Sequence, residues 1–366
     1  MKKILFVAAS AILLAAGCQK TEIINHVGGD SLSFSTNMNK LTKASDAEST
    51  GEVNLQEQNF RVWAYGAYED ANTPATELNA IYDGIENLPV TYAAPTGEAT
   101  VGKWGTEKQY FWPGVGKELK FFAVSDGKDK DHSNVAIGTD INSLTVTDFE
   151  VTPNSYNTDL MVADFVKQHQ DDKIVDLNFH HALSKVEFVF KTIEAEDVTV
   201  YVQSLLVKDL ETKGTLTVAP ATSAPETTDE TGEYSATVTP VAFDWDVTTV
   251  SVKGTFADDY ATEVTYPDGM EEGADTDKSA LRLTNDAQTF TTWLMLPQPI
   301  EDKKVEITYV INNRKFTSIF PLNATNLTEW VENQYVKYTI VLAPNIISFN
   351  PIVAPWDPAQ DVEDQN

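Results

Sequence analysis

Short runs rich in β-branched and aromatic residues, each bounded by turn residues, recur along this chain and most constrain its fold. Clear examples are VTVYVQSLLV, TTVSVKGTF, FTTWLMLP and KYTIVLAP. We find no long segment in which apolar residues recur with the 3.6-residue period of a helix, and the best helical candidate, TDLMVADFVKQHQ, has room for one or two turns. Many short strands separated by regular turns predict an all-β protein built from sandwiches.

The clearest local signal is a β-hairpin over residues 303–322. Apolar and polar residues alternate in both of its arms, as they do in a strand with one buried face. The residues that share one phase of the alternation are Val305, Ile307, Tyr309 and Ile311, then Phe316, Ser318 and Phe320. Asn312 and Asn313 separate the arms, and asparagine tolerates the positive φ that a two-residue hairpin loop requires.

A length of 366 residues favours two domains of ordinary size. Around residue 175 the phase of the apolar alternation changes, and such a change requires a bulge or a crossing between sheets. The residues concerned are Val175, Leu177 and Phe179 in one phase, and Val186, Phe188 and Phe190 in the other. We therefore predict an N-terminal domain over 18–175 and a C-terminal domain over 176–366, preceded by a leader over 1–17.

The leader resembles a bacterial lipoprotein signal peptide. Lys2 and Lys3 precede the apolar run ILFVAASAILLAA, which is too short to span a bilayer comfortably. The small residues at 16 and 17 then lead to Cys18, the only cysteine of the chain. This pattern predicts that Cys18 receives a diacylglycerol and further acylation such as palmitate, because two or more acyl chains anchor a protein firmly. An ordinary secretory signal with a chance cysteine is the alternative.

The charge balance excludes several kinds of partner. The chain carries 26 basic and 55 acidic residues, a net charge of −29. Such a surface repels nucleic acid and anionic lipid head groups, so we expect no nucleic-acid partner. It suits an exported ectodomain whose membrane attachment is the lipid.

The sequence lacks a legible catalytic or metal-binding constellation, so we predict no enzyme, no cofactor and no metal. Neighbouring His180 and His181, with Asp176, invite a metal site, but on a strand their rings would point to opposite faces. A packed or hydrogen-bonded histidine is the simpler interpretation. The acidic turn at 126–131 lacks the spacing of an EF-hand loop. Trp104, in VGKWGTE, either packs or stacks on a glycan.

Several segments, taken in order, are similar to fimbrillin-like proteins, the subunits of type V pili. LNFHHALSKVEFVF resembles the family's F-x-H-x-L-x-K-x-x-V segment, and KQYFWPGVGKELKFFAVS resembles its Y-x-W-P block. FRVWAYGAY resembles an early core strand, and WLMLPQPI a strand with a Leu-Pro-Gln turn. The ending, from LTEWVENQYVKYTIVL to VAPWD, resembles the family's final strands, with Asn333 where glycine is common. These blocks span nearly the whole chain.

The resemblance implies two tandem β-sandwich domains of transthyretin-like topology and a route of assembly. Such proteins reach the outer membrane and cell surface as lipoproteins, where a trypsin-like protease cuts a loop near the N-terminus. The cut removes the lipid together with the first strand and opens a hydrophobic groove. A strand from another pilus subunit then fills the groove by β-strand addition.

SLSFSTNM, residues 31–38, fits the detachable strand, because Leu32, Phe34 and Met38 fall on one face. The polar stretch that follows contains Lys40 and Lys43, and Thr-Lys-Ala at 42–44 resembles the family's cleavage site. We predict processing after Lys43 or Lys40. Alternatively, Lys43 is a solvated loop residue and the lipid stays attached.

Two classes of function remain. The first is a structural or adhesive subunit of a type V fimbria, assembled by protease-triggered strand exchange. The second is a lipid-anchored surface module that binds a glycan or a host ligand without polymerising. The sequence does not separate stalk, tip and anchor subunits.

Overall fold

A computed structural model describes residues 30–38, 55, 59–66, 80–97, 102–113, 118–126, 134–151, 158–169, 174–193, 198–222, 227–228, 236–249, 252–259, 280–312, 314–344 and 346–356. Every secondary-structure element bounded within these residues is a β-strand. The strands up to residue 211 are β1 (Ser33–Met38), β2 (Phe60–Gly66), β3 (Ala80–Ile81), β4 (Leu88–Ala93), β5 (Lys103–Gly105), β6 (Glu118–Ser125), β7 (Val135–Ile137), β8 (Leu144–Glu150), β9 (Met161–Ala163), β10 (Phe165–His169), β11 (Ile174–His181), β12 (Ser184–Lys191) and β13 (Val200–Glu211). The later strands are β14 (Lys213–Pro220), β15 (Thr227–Thr228), β16 (Thr237–Thr239), β17 (Val241–Asp246), β18 (Lys253–Asp259), β19 (Leu281–Arg282), β20 (Gln288–Met295), β21 (Gln298–Pro299), β22 (Lys304–Ile311), β23 (Arg314–Pro321), β24 (Glu329–Trp330), β25 (Gln334–Ala343) and β26 (Ile346–Pro355).

Strands of the N-terminal half close into a barrel. Its order is β6-β9-β11-β1-β5-β4-β2, and the pairing of β2 with β6 completes the ring. Alternate residues of a closed sheet face inward, so their side chains fill the interior. The interior is rich in buried aromatic residues, namely Phe34, Phe60, Tyr110, Trp112, Phe121 and Phe179. β3, β10, β15 and β16 extend the same sheet beyond the ring.

A four-stranded sheet, β17-β14-β8-β7, combines strands from both sides of residue 175. It packs against the outward-facing side chains of the barrel wall. Its side chains and those of the wall lie in one buried cluster, which includes Phe122, Val124, Val162, Leu144, Val146, Leu216 and Val218. The two halves of the chain are therefore joined by strand pairing and by a shared core.

The C-terminal half forms a sandwich of two sheets, β20-β12-β25-β26 and β18-β13-β22-β23. On the first of these sheets, the ring centroid of Phe188 lies 5.1 Å from that of Trp293 and 5.1 Å from that of Tyr338. Trp293 also contacts Phe256 of the opposite sheet at 5.5 Å. Face-to-face packing of this kind is what the alternating apolar pattern of these strands predicts.

The predicted hairpin is confirmed. β22 and β23 pair from Lys304↔Pro321 to Ile311↔Arg314, which leaves a two-residue loop. Asn312 has φ 45°, in the left-handed region that asparagine tolerates. Tyr309 stacks on Phe316 at 5.7 Å, as the shared phase of these residues predicts.

The phase change in the apolar pattern marks a crossing between sheets. Val175, Leu177 and Phe179 lie in β11, where their side chains enter the barrel. After Ala182 and Leu183 the chain continues as β12 in the C-terminal sandwich. Residue 175 itself lies inside β11, so strand pairing would put a division of the chain after His181. The domain boundary between residues 175 and 176 stays a prediction.

The short helix predicted around TDLMVADFVKQHQ is wrong, because residues 161–163 and 165–169 form β9 and β10. Residues 161–163 are all buried. A strand covered on both faces reads as a continuous apolar run, without the alternation that distinguishes a strand from a helix.

The all-β prediction is confirmed, and the prediction of sandwiches holds in part. The C-terminal half is a sandwich, whereas the main N-terminal sheet closes on itself. Closure depends on β1, which joins β11 to β5. Five tryptophans are buried, with exposed fractions of 1–9%: Trp63, Trp112, Trp293, Trp330 and Trp356.

Candidate functional site

The first described strand of the chain is paired along both edges. β1 runs parallel to β11, in register from Ser33↔Ile174 to Met38↔Phe179. Its other edge meets β5 in antiparallel orientation, with Phe34 opposite Trp104. Just before β1, the amide of Leu32 donates to the carbonyl of Tyr110 at 2.9 Å. β1 therefore fills a slot between two strands that lie later in the sequence.

The side chain of Phe34 anchors this strand in the barrel. Phe34 is 7% exposed, and its ring makes edge-on contacts with Phe60 and Phe121 at 6.2 Å each. Leu32 is partly buried against the same cluster. The side chain of Met38, the third residue predicted for this face, lies outside the described residues. Without β1, the pocket of Phe34 would open a buried aromatic core to solvent.

Two side-chain hydrogen bonds also hold β1. The Ser35 hydroxyl donates to Oδ1 of Asp176 on β11 at 2.7 Å. On the other edge, Nε1 of Trp104 on β5 donates to the Thr36 hydroxyl at 2.9 Å. Each neighbouring strand thus supplies one polar partner to β1.

Trp104 is a strand residue, not an exposed loop residue. Its ring is half-buried and contacts Phe60 at 4.9 Å and Tyr92 at 5.2 Å. Of the two interpretations that the sequence left open, packing is therefore the one that the geometry supports. The glycine-flanked setting VGKWGTE concealed this strand, since glycine is depleted in strands.

Both histidines that the sequence suggested as metal ligands, His180 and His181, are hydrogen-bonded to carboxylates. Nε2 of His180 lies 2.9 Å from Oδ1 of Asp164, and Nδ1 of His181 lies 2.5 Å from Oδ2 of Asp159. The imidazole of His181 also stacks on Trp356 at 3.7 Å, with 6° between the ring planes. Asp176, which the sequence suggested as a third ligand, instead contacts Ser35. Within the described ranges, no group of three or more metal-ligating side chains could hold an ion.

A second unusual surface lies at the open side of the C-terminal sandwich. β26 and β23 are edge strands of the two facing sheets, and Phe349 stacks on Phe320 between them at 5.3 Å. Large apolar side chains on these strands are 41–60% exposed, namely Phe316, Ile319, Ile346, Ile347, Ile352 and Val353. An apolar edge of this kind is a feature of surfaces that meet other proteins.

The predicted lipidation and cleavage residues, Cys18, Lys40 and Lys43, lie outside the described residues. Asp126 is described and buried, whereas the rest of the acidic turn at 127–133 is not described. No helix of the described part of the chain is long and apolar enough to cross a membrane.

The fold and the site define a class: an all-β protein whose N-terminal barrel is completed by the first described strand of the chain. A sequence model of the fimbrillin-like family matches residues 42–356, which is most of the chain. The chain therefore belongs to the fimbrillin-like family. As a member of this family of fimbrial proteins, it is a pilus-type protein of the cell surface and not an enzyme.

Three solved structures that match the chain share little sequence with it, and their TM-scores lie below 0.5. A fimbrial protein from Bacteroides vulgatus has a TM-score of 0.47 at 15% identity, over 90% of this chain and 100% of that one. A putative cell adhesion protein from Bacteroides uniformis has a TM-score of 0.46 at 15% identity, over 90% and 98%. A fimbrial assembly protein from Parabacteroides distasonis has a TM-score of 0.35 at 11% identity, over 90% and 98%. No curated protein matches the chain.

Proposed function

We propose that the chain is an exported lipoprotein that serves as a structural or adhesive subunit of a type V pilus. In this proposal β1 is a replaceable strand, and a strand of another subunit takes its place after proteolysis. The observation that carries the proposal is the position of β1, which completes the barrel between β11 and β5. In the sequence, Lys40 and Lys43 follow immediately after it.

Cleavage at this point has a simple physical consequence. After a cut that follows Lys43 or Lys40, non-covalent contacts hold β1 in the barrel, among them its two ladders, the pocket of Phe34 and the two hydroxyl contacts. Its departure exposes the facing edges of two strands together with apolar core, and such edges readily pair with another strand. An incoming strand restores both ladders, which supplies affinity, while its alternate side chains set the register.

The proposed lipid couples release of the subunit from the membrane to opening of its groove. If Cys18 carries the acyl chains, the lipid and β1 lie on the same side of the cut. One cleavage then frees the subunit from the outer membrane and opens its groove. A trypsin-like protease at the cell surface is the partner that this step requires, because the bonds cleaved follow lysine.

We also propose the two-domain organisation of the family, with tandem domains of transthyretin-like topology over 18–175 and 176–366. The separate apolar interior of the barrel supports an N-terminal unit. The sheet β17-β14-β8-β7, which draws on both halves, implies that the two units unfold together.

Limited trypsin treatment of the full chain tests the assembly proposal. We expect the first cut within 40–43, followed by oligomers whose abundance rises with protein concentration and which SDS dissociates. The matched control is a Lys40→Gln/Lys43→Gln double variant, which should remain monomeric under the same treatment. Size-exclusion chromatography with light scattering and N-terminal sequencing follow both events.

A clean cut that leaves a stable monomer, with the 19–43 fragment still bound, would refute assembly by this route. The lipid-anchored module that binds a glycan or a host ligand would then be the better account. The packed environment of Trp104 gives no support to a glycan platform at that residue.

A further inference from the structure

The slot that β1 occupies offers two side-chain hydrogen-bonding groups, in addition to a backbone ladder and an aromatic pocket. Asp176 and Trp104 belong to the strands that stay in the barrel, whereas their partners Ser35 and Thr36 belong to the strand that would leave. Any replacement strand therefore meets a carboxylate acceptor on one edge and an indole N–H donor on the other. Both groups are hydrogen-bonded while β1 is in place. When β1 leaves, an indole N–H without an acceptor in a half-buried site costs free energy.

We propose that Asp176 and Trp104 determine which strand the barrel accepts. The inference rests on the proposed function and names the partner of that site. The accepted strand carries an aromatic residue facing inward, then a side chain that donates to Asp176, then a hydroxyl that accepts from Trp104. It runs parallel to β11 and antiparallel to β5, as β1 does.

Trp104 also helps to fix the register. A slip of one residue turns every side chain to the opposite face, so burial of the aromatic ring already excludes it. A slip of two residues preserves the faces. In β1 such a slip would put Thr36 in the pocket of Phe34, so both the buried ring and the hydrogen bond from Nε1 of Trp104 to the Thr36 hydroxyl would be lost. Asp176 adds little to this discrimination, because the slip would bring another side chain that can donate, that of an asparagine, to the position of Ser35.

The chain contains a second segment that meets most of these requirements. Residues 347–353, ISFNPIV, align with residues 32–38, LSFSTNM, when Phe349 is placed on Phe34. Each apolar residue of 32–38 falls on an apolar residue, although Ile352 falls on Asn37. Asn350 can donate to Asp176 as Ser35 does. Pro351 falls at the position of Thr36, where it offers no hydroxyl to Trp104 and no N–H to a ladder. A second copy of this chain is therefore a poorer occupant than a strand with the full triplet.

Peptide binding to the trypsin-cleaved full-length chain tests this proposal. The probe is a fluorescent peptide of residues 30–38, and its binding is measured by anisotropy. We expect the Thr36→Val peptide to bind about tenfold more weakly and the Ser35→Ala peptide about threefold more weakly, since the second contact is exposed. A Ser31→Ala peptide, altered at an exposed position, is the matched control and should bind like the parent.

Protein variants then assign each loss to its partner. On a Trp104→Phe chain, the Thr36→Val peptide should bind no more weakly than the parent peptide. On an Asp176→Ala chain, the Ser35→Ala peptide should likewise bind no more weakly than the parent peptide. Losses of unchanged size on these variant chains would overturn the proposal.

A gain of binding provides a test that needs no protein variant. A peptide of residues 346–355 that carries Pro351→Thr should bind the cleaved chain about tenfold more tightly than one that carries Pro351→Val, because valine restores the backbone N–H but supplies no hydroxyl to Trp104. Equal binding of the two peptides would contradict the role of Trp104. If no peptide binds, including the 30–38 parent, strand exchange itself fails, and this proposal fails with it.

Discussion

Replacing Phe34 by aspartate is expected to open the barrel without any protease. The ring of Phe34 is buried among Phe60 and Phe121, and truncation of such a ring alone costs about 3–5 kcal/mol. A carboxylate in the same apolar pocket adds a desolvation cost. The population of the open form should therefore rise on the order of a hundredfold or more, which is enough for association with another subunit to compete with reinsertion of β1.

The expected readout is oligomer formation by the uncleaved Phe34→Asp precursor at concentrations where the wild-type precursor is monomeric. Leu32→Asp should have a smaller effect, because Leu32 is only partly buried. Ser31→Asp adds the same charge at an exposed position of the same segment and should behave as wild type. Hydrogen exchange should show faster exchange of amides in β11 and β5 for Phe34→Asp. A monomeric Phe34→Asp precursor with wild-type exchange would contradict a replaceable β1.

Replacing Cys18 by serine is expected to abolish lipid attachment completely. The thiol is the only one in the chain, and the lipoprotein pathway requires it for both the diacylglycerol bond and the cleavage before residue 18. The Cys18→Ser variant should keep residues 1–17 and incorporate no labelled fatty acid. Loss of two or more acyl chains should also remove stable membrane attachment, because one chain alone binds only marginally.

Gln19→Asp is the matched control for the lipid prediction. It changes the residue next to the cysteine and leaves the thiol in place, so labelling should persist. Equal labelling of wild type and Cys18→Ser would show that Cys18 is not the lipidated residue.

Local patterns predicted those parts of the fold in which neighbouring residues decide the outcome. The hairpin of β22 and β23 follows from its alternation and from two asparagines, because a short turn brings adjacent strands together. The change of sheet between β11 and β12 follows from the phase of the apolar residues. The prediction failed at β9 and β10; β9 is covered on both faces, which removed the alternation that marks a strand.

For the candidate site, the sequence supplied the strand but not its surroundings. The alternation in LSFSTNM predicted a face containing Phe34, and that ring is buried. Nothing in the sequence indicated that β1 pairs with a strand beginning at Ile174 or with the short strand that holds Trp104. Contacts between residues so far apart in the chain leave no periodic signal, and the glycines beside Trp104 concealed a strand.

The sequence by itself determined that the protein is all-β, that it resembles fimbrillin-like proteins, and that its first strand has an apolar face. Those properties depend on residue types, their period and their order, which are local quantities. Only the tertiary structure decided that the N-terminal sheet closes into a barrel, that β1 completes it, and that Asp176 and Trp104 contact Ser35 and Thr36. Closure and cross-strand contacts depend on which distant strands pair, and pairing is settled by the packing of the whole core.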